Sequence, residues 1–262
     1  MKICTFNVNS VKVRLELLAE WLKRRQNDID VLCLQELKTV DEAFPHDFFN
    51  SLGFHCETFG QKAYNGVAIC SKLPIVNVKK GFLHDTPESQ KRIIQADIGT
   101  VRIINVYAPH GDVRGTEKYH YKLDWYRALM NHMEAETADK KNILIAGDFN
   151  ITAGDIDIYN PALYNDAVAA MPEERAALQR VTEFGMVDTF RHLHPDVRQY
   201  TWWAYGAAIW KDEGFRIDYI FATKDLIKSL LSVEVDVWPR RKKTLKPSDH
   251  APLIADFDLY LV

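Results

Sequence analysis

Runs of four to eight apolar or β-branched residues recur along the chain and predict β-strands. The predicted strands cover residues 3–8, 29–34, 67–70, 93–98, 101–107, 143–146, 217–222, 231–237 and 252–259. Several of these runs are hydrophobic nearly throughout, which predicts burial on both faces of the strand, whereas others alternate apolar and polar residues.

Helical periodicity is clearest near the amino terminus, where Val11, Leu15, Leu18 and Leu22 lie on one helix face. Ser10 stands where it could cap this helix, and the basic residues 23–25 are close to the negative end of its dipole. Two further predicted helices cover residues 119–137, with the stripe Leu123, Tyr126, Met130 and Met133, and residues 172–185, with the stripe Ala177, Val181 and Phe184.

Strands and helices together predict an α/β (α+β) architecture. Pairs of strands that follow one another without a helix argue against a purely parallel sheet. We therefore expect a four-layer sandwich of two packed mixed β-sheets flanked by helices. No linker or repeat interrupts the 262 residues, so one domain over residues 1–262 is expected.

The formal net charge of −3 argues against a protein that coats nucleic acid through charge alone. A local basic run is more informative: residues 238–247 place five cations directly before Ser248, Asp249 and His250. Such a run is either a solvated loop or a surface that attracts phosphate groups.

The four cysteines show no Cys-x-x-Cys pairing, and Cys4, Cys33 and Cys70 lie inside apolar runs. This pattern predicts free thiols in a reduced cytoplasm rather than a zinc site. No apolar run approaches the roughly 18 residues of a membrane span, so we expect a soluble, unexported protein that does not enter a membrane.

Polar residues recur where the predicted strands begin or end. They are Asn7 and Asn9, Gln35 and Glu36, Tyr107, Asp148 and Asn150, Asp218, and Asp249 with His250. Taken singly, each could be a turn, a cap or a rim residue, Asn7 an Asx-turn and residues 148–150 a turn. Because strand ends that meet at one rim hold side chains at fixed distances, we interpret the whole set as one site.

This set of carboxylates and amides, without paired cysteines, is the oxygen-rich type that favours magnesium or manganese over zinc. Such ions commonly serve phosphate chemistry. Cleavage of a phosphodiester by water needs neutralisation of phosphate oxygens, a base for the water and donors for the developing charge. The set contains a candidate for each of these roles.

Ten segments, considered in order and spacing, carry a specific resemblance. They include Phe6-Asn7-Val8-Asn9-Ser10, Leu34-Gln35-Glu36-Leu37-Lys38, Asn105-Val106-Tyr107-Ala108-Pro109, Gly147-Asp148-Phe149-Asn150-Ile151, Tyr200-Thr201-Trp202-Trp203, Arg216-Ile217-Asp218-Tyr219 and Ser248-Asp249-His250-Ala251-Pro252. With these segments the whole chain resembles the exonuclease III and apurinic/apyrimidinic endonuclease family, within the wider endonuclease/exonuclease/phosphatase fold shared with DNase I.

The resemblance implies roles for the site residues. Glu36 is the principal metal ligand, Asn7 and Asp249 lie close to the ion, and a second position is open to Asp148, Asn150 and His250. One ion and two ions of Mg²⁺ or Mn²⁺ both stay open. Asp148 orients or deprotonates the attacking water, although a metal-activated water is an alternative base.

The same resemblance implies that Asn150 and His250 contact the scissile phosphate, that Asp218 fixes the His250 imidazole, and that Tyr107 holds the phosphate or assists the leaving group. DNA contacts are expected from Asn9, Lys62, Asn65, the helix start near Ser10, and the run that contains Arg240 and Arg241. Trp202 and Trp203 would lie against an abasic sugar, with core packing as the alternative for either residue.

Two features depart from the family pattern. Residues 206–210 lack the arginine that is common there, and residues 158–171 form a relatively apolar connection. The metal and phosphate residues are unaffected.

The expected function is a DNA repair nuclease. It would act as a monomer on duplex DNA with abasic sites or recessed or blocked 3′ ends, by incision 5′ to the lesion, 3′–5′ exonuclease action or 3′-phosphatase action. The alternatives are a phosphoesterase for RNA or a lipid headgroup, and a non-catalytic DNA-binding module. A non-catalytic module would be expected to have lost a residue of the site. The sequence retains Glu36, Asp148, Asn150, Asp218 and His250.

Overall fold

The computed structural model of the protein describes residues 1–137 and 141–259. Its strands, β1 to β14 in chain order, are Lys2–Asn7, Val31–Gln35, His55–Phe59, Val67–Ser71, Ile75–Lys80, Ile93–Ile98, Val101–Tyr107, Ile143–Asp148, Met186–Asp188, Trp202–Trp203, Gly214–Phe215, Asp218–Thr223, Leu230–Val235 and Leu253–Phe257. Its α-helices, α1 to α9, are Leu15–Arg24, His46–Ser51, Glu117–Thr137, Pro161–Tyr164, Pro172–Glu183, Thr189–Leu193, Ala208–Lys211, Lys224–Ile227 and Trp238–Arg241.

Two six-stranded mixed sheets form the centre of the protein. The first has the strand order β13-β14-β1-β2-β4-β3, and the second has the order β5-β6-β7-β8-β12-β9. In each sheet one central pair is parallel, β1 with β2 and β7 with β8, and the other pairings are antiparallel. Strands β10 and β11 form a separate short ribbon.

The side-chain alternation of the central strands explains the layers. In β8, Leu144 and Ala146 pack between the two sheets, whereas Ile143 and Ile145 pack under helices α3 and α5. In β1, Ile3 likewise faces the second sheet while Cys4 and its neighbours pack against α1. The continuous hydrophobic runs are therefore buried on both faces, and the predicted four-layer sandwich is confirmed.

The single domain predicted over residues 1–262 includes residues 138–140 and 260–262, which lie outside the described part of the chain. In the described ranges, no helix combines the length and the apolar character that crossing a membrane requires.

The first helix differs from its prediction. Ser10 has a left-handed backbone (φ 88°) and caps no helix; residues Lys12–Arg14 form a 3-10 turn, and α1 begins only at Leu15. The predicted cap at Ser10 is therefore wrong, whereas a DNA contact at the start of this helical segment stays a prediction.

Helices α3 and α5 lie where they were predicted, but their buried stripes are shifted. In α3 the buried hydrophobic residues include Trp125 and Leu129 together with Tyr126 and Met133, while Leu123 and Met130 are only partly buried. In α5 the buried positions are Glu174, Leu178 and Val181; Ala177 is partly buried and Phe184 is exposed.

The prediction that the cysteines are free thiols is wrong for one pair. Cys56 and Cys70 form a disulfide that joins the edge strand β3 to β4. The two residues are direct cross-strand partners, with their Cα atoms 4.0 Å apart. Cys4 and Cys33 are buried and free, as predicted.

Candidate active site

The topology brings the carboxyl ends of four strands together. Strands β1 and β2 run parallel and end at Asn7 and Gln35, which are register partners, and β7 and β8 run parallel and end at Tyr107 and Asp148, which are also partners. Because β1 and β8 contact each other across the sandwich, both sheets present these ends at the same rim. Polar side chains from distant segments therefore meet at one place.

Glu36 follows β2 in a left-handed backbone conformation (φ 54°), which turns the chain sharply at the strand end. Its carboxylate accepts a hydrogen bond from Asn7 Nδ2 at 2.9 Å and pairs with Lys38 Nζ at 3.0 Å. Burial alone would raise the pKa of Glu36, but these two partners lower it below its ordinary value. Glu36 is therefore an ionised, fixed carboxylate.

Asn7 links the two sheets at the rim. Its Nδ2 donates to Glu36 and also to Asp148 Oδ2, each at 2.9 Å, while its Oδ1 accepts the backbone N–H of Asn9. Asn7 thus forms the Asx-turn and presents nitrogen, not oxygen, to the carboxylates. In this geometry Asn7 positions Glu36 and Asp148, and its role as a metal ligand stays a prediction.

Asp148 is fully buried at the end of β8. Desolvation, with further repulsion from Asp218 and Glu36, raises its pKa to about 7, although His250 and the hydrogen bond from Asn7 act in the opposite direction. A carboxylate with such a pKa can exchange a proton near neutral pH, which is what a general base requires.

His250 lies between two carboxylates. Its Nδ1 is 2.8 Å from Asp218 Oδ2 and its Nε2 is 3.7 Å from Asp148 Oδ2. Because a carboxylate only accepts, Nδ1 carries the proton shared with Asp218. Burial alone would lower the pKa of His250, but attraction to Asp218 and Asp148 raises it to about 10, so the ring is a cation at neutral pH.

Asn150 and Tyr107 complete the polar set. Asn150 adopts a left-handed conformation (φ 50°) that is held by its N–H to Asp148 Oδ1 and by its Nδ2 to Ala108 O, both at 2.9 Å. Burial, then the negative charges of Glu36 and Asp148, raise the pKa of Tyr107 well above its ordinary value. The phenol therefore stays protonated and can donate a hydrogen bond.

These groups line a cleft of about 260 Å³. Its wall includes Glu36, Tyr107, Asp148, Asn150, Trp202, Asp249 and His250. Both oxygens of Asp249 are engaged at the cleft edge, one by Asn9 Nδ2 at 2.9 Å and one by Trp202 Nε1 at 3.0 Å.

A divalent cation fits part of this set. Among the described residues, Glu36, Asp148 and His250 each offer a ligand atom, and these atoms lie within 4.8 Å of one another. Since His250 is held as a cation by two carboxylates, Glu36 and Asp148 are the better ligands, and they are oxygen donors of the kind that Mg²⁺ and Mn²⁺ prefer. Asp249 lies outside this cluster, and its role as a metal ligand stays a prediction.

A polar link between the sheets lies directly beneath the cleft. Asn105 donates to Leu34 O and Ala68 O at 2.9 and 2.8 Å, and Gln35 Nε2 donates to Asn105 Oδ1 at 2.7 Å. All of these atoms are buried, so the link fixes the distance between the two sheets where the site needs it. This role of Asn105 as a link between the two sheets was not predicted from the sequence.

A buried ion pair supports the site from below. Lys122 of α3 and Glu174 of α5 have no exposed side-chain surface, and Lys122 Nζ donates to Glu174 Oε1 (2.7 Å), Asn150 O (2.8 Å) and His110 O (3.0 Å). This pair was not predicted from the sequence. Its signal is a lysine at the helical spacing of the buried stripe, three residues before Trp125.

Comparison with known proteins agrees with this arrangement. The model of the endonuclease/exonuclease/phosphatase family matches residues 4–250 of the chain. The chain therefore belongs to this family.

Relatives within the family cover nearly the whole chain. Exodeoxyribonuclease III of Haemophilus influenzae is 36% identical over 98% of this chain and 100% of its own. An AP endonuclease from Archaeoglobus fulgidus superposes with a TM-score of 0.93 at 36% identity, covering 99% of this chain and 100% of its own. A 3′ phosphatase from Neisseria, solved with a product DNA hairpin, has a TM-score of 0.94 at 37% identity with the same coverage.

The structure gathers most of the site residues predicted from the family resemblance. Those that meet at the cleft are Glu36, Tyr107, Asp148, Asn150, Trp202, Asp249 and His250, with Asp218 behind His250. Their individual roles remain proposals.

Two residues that were predicted to contact DNA, Trp203 and Arg240, are buried in this structure. Trp203 is 1% exposed and packs with Tyr200, Ile209 and Ala251, so it belongs to the core. Arg240 is 4% exposed and donates to the carbonyl oxygens of three residues, Trp203, Ala204 and Asp249. Arg240 therefore stabilises the loop behind the site instead of reaching the DNA backbone.

The other predicted DNA contacts divide into two groups. Asn9 and Asn65 are engaged within the protein: Asn9 bonds Asp249 and Lys38, and the buried Asn65 donates to Gln61. We infer that they hold the rim loops. Lys62 and Arg241 are exposed, and their contact with DNA stays a prediction.

Proposed function

We propose that this protein is a metal-dependent DNA repair nuclease that hydrolyses phosphodiester bonds of duplex DNA. Its substrates would be strands with an abasic site or with a recessed or blocked 3′ end. The observation that supports this most directly is the cluster of Glu36, Asp148 and His250 within 4.8 Å at the rim that both sheets share. The carboxylates can hold a cation or accept a proton from water, and the imidazolium can stabilise the negative charge that develops on the phosphate.

Asp148 acts as the base for the attacking water in this proposal. Its pKa of about 7 allows it to accept a proton near neutral pH. The hydrogen bond from Asn7 fixes one of its oxygens, and the N–H of Asn150 fixes the other, so the carboxylate keeps a single orientation.

His250, Asn150 and Tyr107 face the charge that develops on the phosphate. The His250 cation, oriented by Asp218, and the protonated Tyr107 phenol are donors that need no rearrangement during the reaction. Removing one such donor from a preorganised site typically lowers the rate by about 10²- to 10³-fold.

Glu36 would be the principal ligand of Mg²⁺ or Mn²⁺, and a second ion position would be open to Asp148 as an alternative to its role as base. When bound there, the ion neutralises charge on the phosphate oxygens. Glu36 suits this role because its pKa is lowered and its carboxylate is ionised over the whole physiological range. The proposal is compatible with one bound ion and with two.

The relatives support DNA as the substrate. Their names include an exodeoxyribonuclease, an AP endonuclease and a 3′ phosphatase bound to DNA. Trp202 is half-buried in the cleft wall and offers an apolar surface. An abasic sugar can reach this surface because it carries no base. We further propose that the protein acts as a monomer, because the cleft is complete within one chain. A cytoplasmic location is supported by the bacterial exodeoxyribonuclease relative and not by the Cys56–Cys70 disulfide.

The test is cleavage of a labelled duplex that carries one tetrahydrofuran abasic mimic, with Mg²⁺ and with EDTA. The proposal expects incision 5′ to the mimic, or release of nucleotides or phosphate from 3′ ends, with Mg²⁺ only. A panel that adds single-stranded RNA and a phosphoinositide separates this activity from the related phosphoesterases. Cleavage of the lipid or RNA but not of DNA would overturn the proposal.

A further inference from the structure

Two large aromatic side chains are exposed beside the candidate site. Tyr205 is 54% exposed and Trp210 is 55% exposed, on a segment that contains the short helix α7. Between them Gly206 has a left-handed backbone (φ 94°), and no atom lies within 4 Å of the place where its Cβ would be. A side chain at Gly206 would therefore point into open space beside the two rings.

This aromatic segment is fixed to the walls of the cleft. Ile209, next to Trp210, packs in one buried cluster with Trp203 and with Ala251, which follows His250. The hydroxyl of Tyr205 accepts a hydrogen bond from Asn9 Nδ2 at 2.9 Å, and Asn9 also holds Asp249. The rings are thus presented from a rigid base at the rim.

A cationic side chain lies near each of the two rings. Lys243 Nζ lies 5.0 Å from the centre of the Trp210 ring, and Arg240 Cζ lies 5.5 Å from the centre of the Tyr205 ring. Lys243 and Lys246 are both exposed, and among the described residues neither has an ion-pair partner. An exposed indole can stack on a nucleobase, and a neighbouring ammonium group that forms no ion pair can contact the adjoining phosphate.

We propose that Trp210 and Lys243 form a binding site for an unpaired nucleotide of the DNA strand that passes the cleft. Trp210 stacks on the base and Lys243 contacts the phosphate. This site rests on the proposed function, because it assumes that the strand being processed is DNA. It would favour substrates with a frayed or single-stranded end over fully paired blunt duplexes.

The experiment measures binding, not cleavage. Fluorescence anisotropy in EDTA compares a labelled duplex that has a short 3′ single-stranded extension with a blunt duplex of the same paired length. Trp210→Ala is expected to weaken binding of the extended duplex by roughly tenfold and to leave the blunt duplex within about twofold. Trp210→Phe, which keeps a stacking surface, should restore most of the affinity.

Lys243→Gln tests the phosphate contact. It should lower the slope of log affinity against log salt by about one for the extended duplex. Phe184→Ala, at an exposed aromatic position that does not line the cleft, is the matched control and should bind both duplexes like the wild type.

The outcomes separate the two proposals. If the wild type binds neither duplex, the proposed function fails. If the wild type binds both duplexes and Trp210→Ala changes neither affinity, the nucleotide site is overturned while the proposed function stands. A Trp210→Ala variant that binds DNA normally but loses self-association in analytical ultracentrifugation would instead identify a protein interface, and would also overturn the nucleotide site.

Discussion

The buried pair of Lys122 and Glu174 offers a sharp test of how the site is supported. The lysine ammonium has three protons, and three acceptors take them: Glu174 Oε1, Asn150 O and His110 O, at 2.7 to 3.0 Å. Replacing Lys122 by methionine leaves a buried carboxylate without its counter-charge and two backbone carbonyl groups without their donor.

The expected loss in the free energy of unfolding follows from the burial of this ion pair. Removing one partner of a buried ion pair typically costs about 3–5 kcal/mol in the free energy of unfolding. Replacing both partners, as in Lys122→Met with Glu174→Leu, removes the uncompensated charge. It still leaves the two carbonyl groups unpaired, and also the Met171 N–H that donates to Glu174 Oε2 at 3.3 Å, at about 1–3 kcal/mol for each group. The double variant should therefore lose much less stability than the sum of the two single variants.

The assay is reversible denaturation in urea, followed by circular dichroism. The matched control is Lys242→Met, because Lys242 pairs with Glu20 at 2.8 Å but with 32% and 46% of the two side chains exposed. That pair should contribute only about 0–1 kcal/mol. The reasoning is refuted if Lys122→Met and Lys242→Met lose the same stability, or if the single effects at Lys122 and Glu174 are additive.

Three further predictions follow from the structure. The Asp218→Asn substitution removes a negative charge that helps to raise the pKa of His250 to about 10. We assign the fall of kcat/KM at alkaline pH to deprotonation of His250, so this fall should occur at lower pH in the variant. An unchanged pH profile would contradict this. Gly147→Ala should cost several kcal/mol in thermal or urea unfolding because its Cβ would meet Val106 O at 1.9 Å, whereas Gly154→Ala, with open space, should be near neutral; equal effects would count against this. Thiol titration of the unfolded, unreduced protein should count two of the four cysteines as free, and a count of four would rule out the disulfide.

The sequence predicted the core strands well because their signal is local. Runs such as 93–98 and 101–107 match β6 and β7 at both ends, since these strands are buried on both faces and read as continuous apolar segments. The edge strands β3 and β5 were missed. Their residues are mostly exposed or half-buried, so no apolar run marks them.

The disulfide was missed for the same reason. Cys56 lies in the unrecognised edge strand β3, and its partnership with Cys70 depends on the register of β3 against β4. Register between strands is a tertiary property that a single sequence does not reveal.

Most residues of the site could be predicted, because they occur at strand ends and in segments that are specific to the family. What could not be predicted is the direction in which each side chain points. Trp202 and Trp203 are neighbours on β10, and strand alternation puts Trp202 at the cleft and Trp203 in the core. Arg240 belongs to a run of cations, yet its burial against three carbonyl groups follows only from the path of the loop.

The most direct test of the central claim is single-turnover incision of the abasic duplex as a function of Mg²⁺ concentration, for the wild type and for Glu36→Gln. Glutamine keeps the shape of the side chain but removes the charge that is proposed to hold the ion. The account predicts a much lower maximal rate and a Mg²⁺ midpoint shifted to higher concentration. Equal rates with the same Mg²⁺ midpoint in both proteins would contradict the assignment of Glu36 as a metal ligand and, with it, the proposed site.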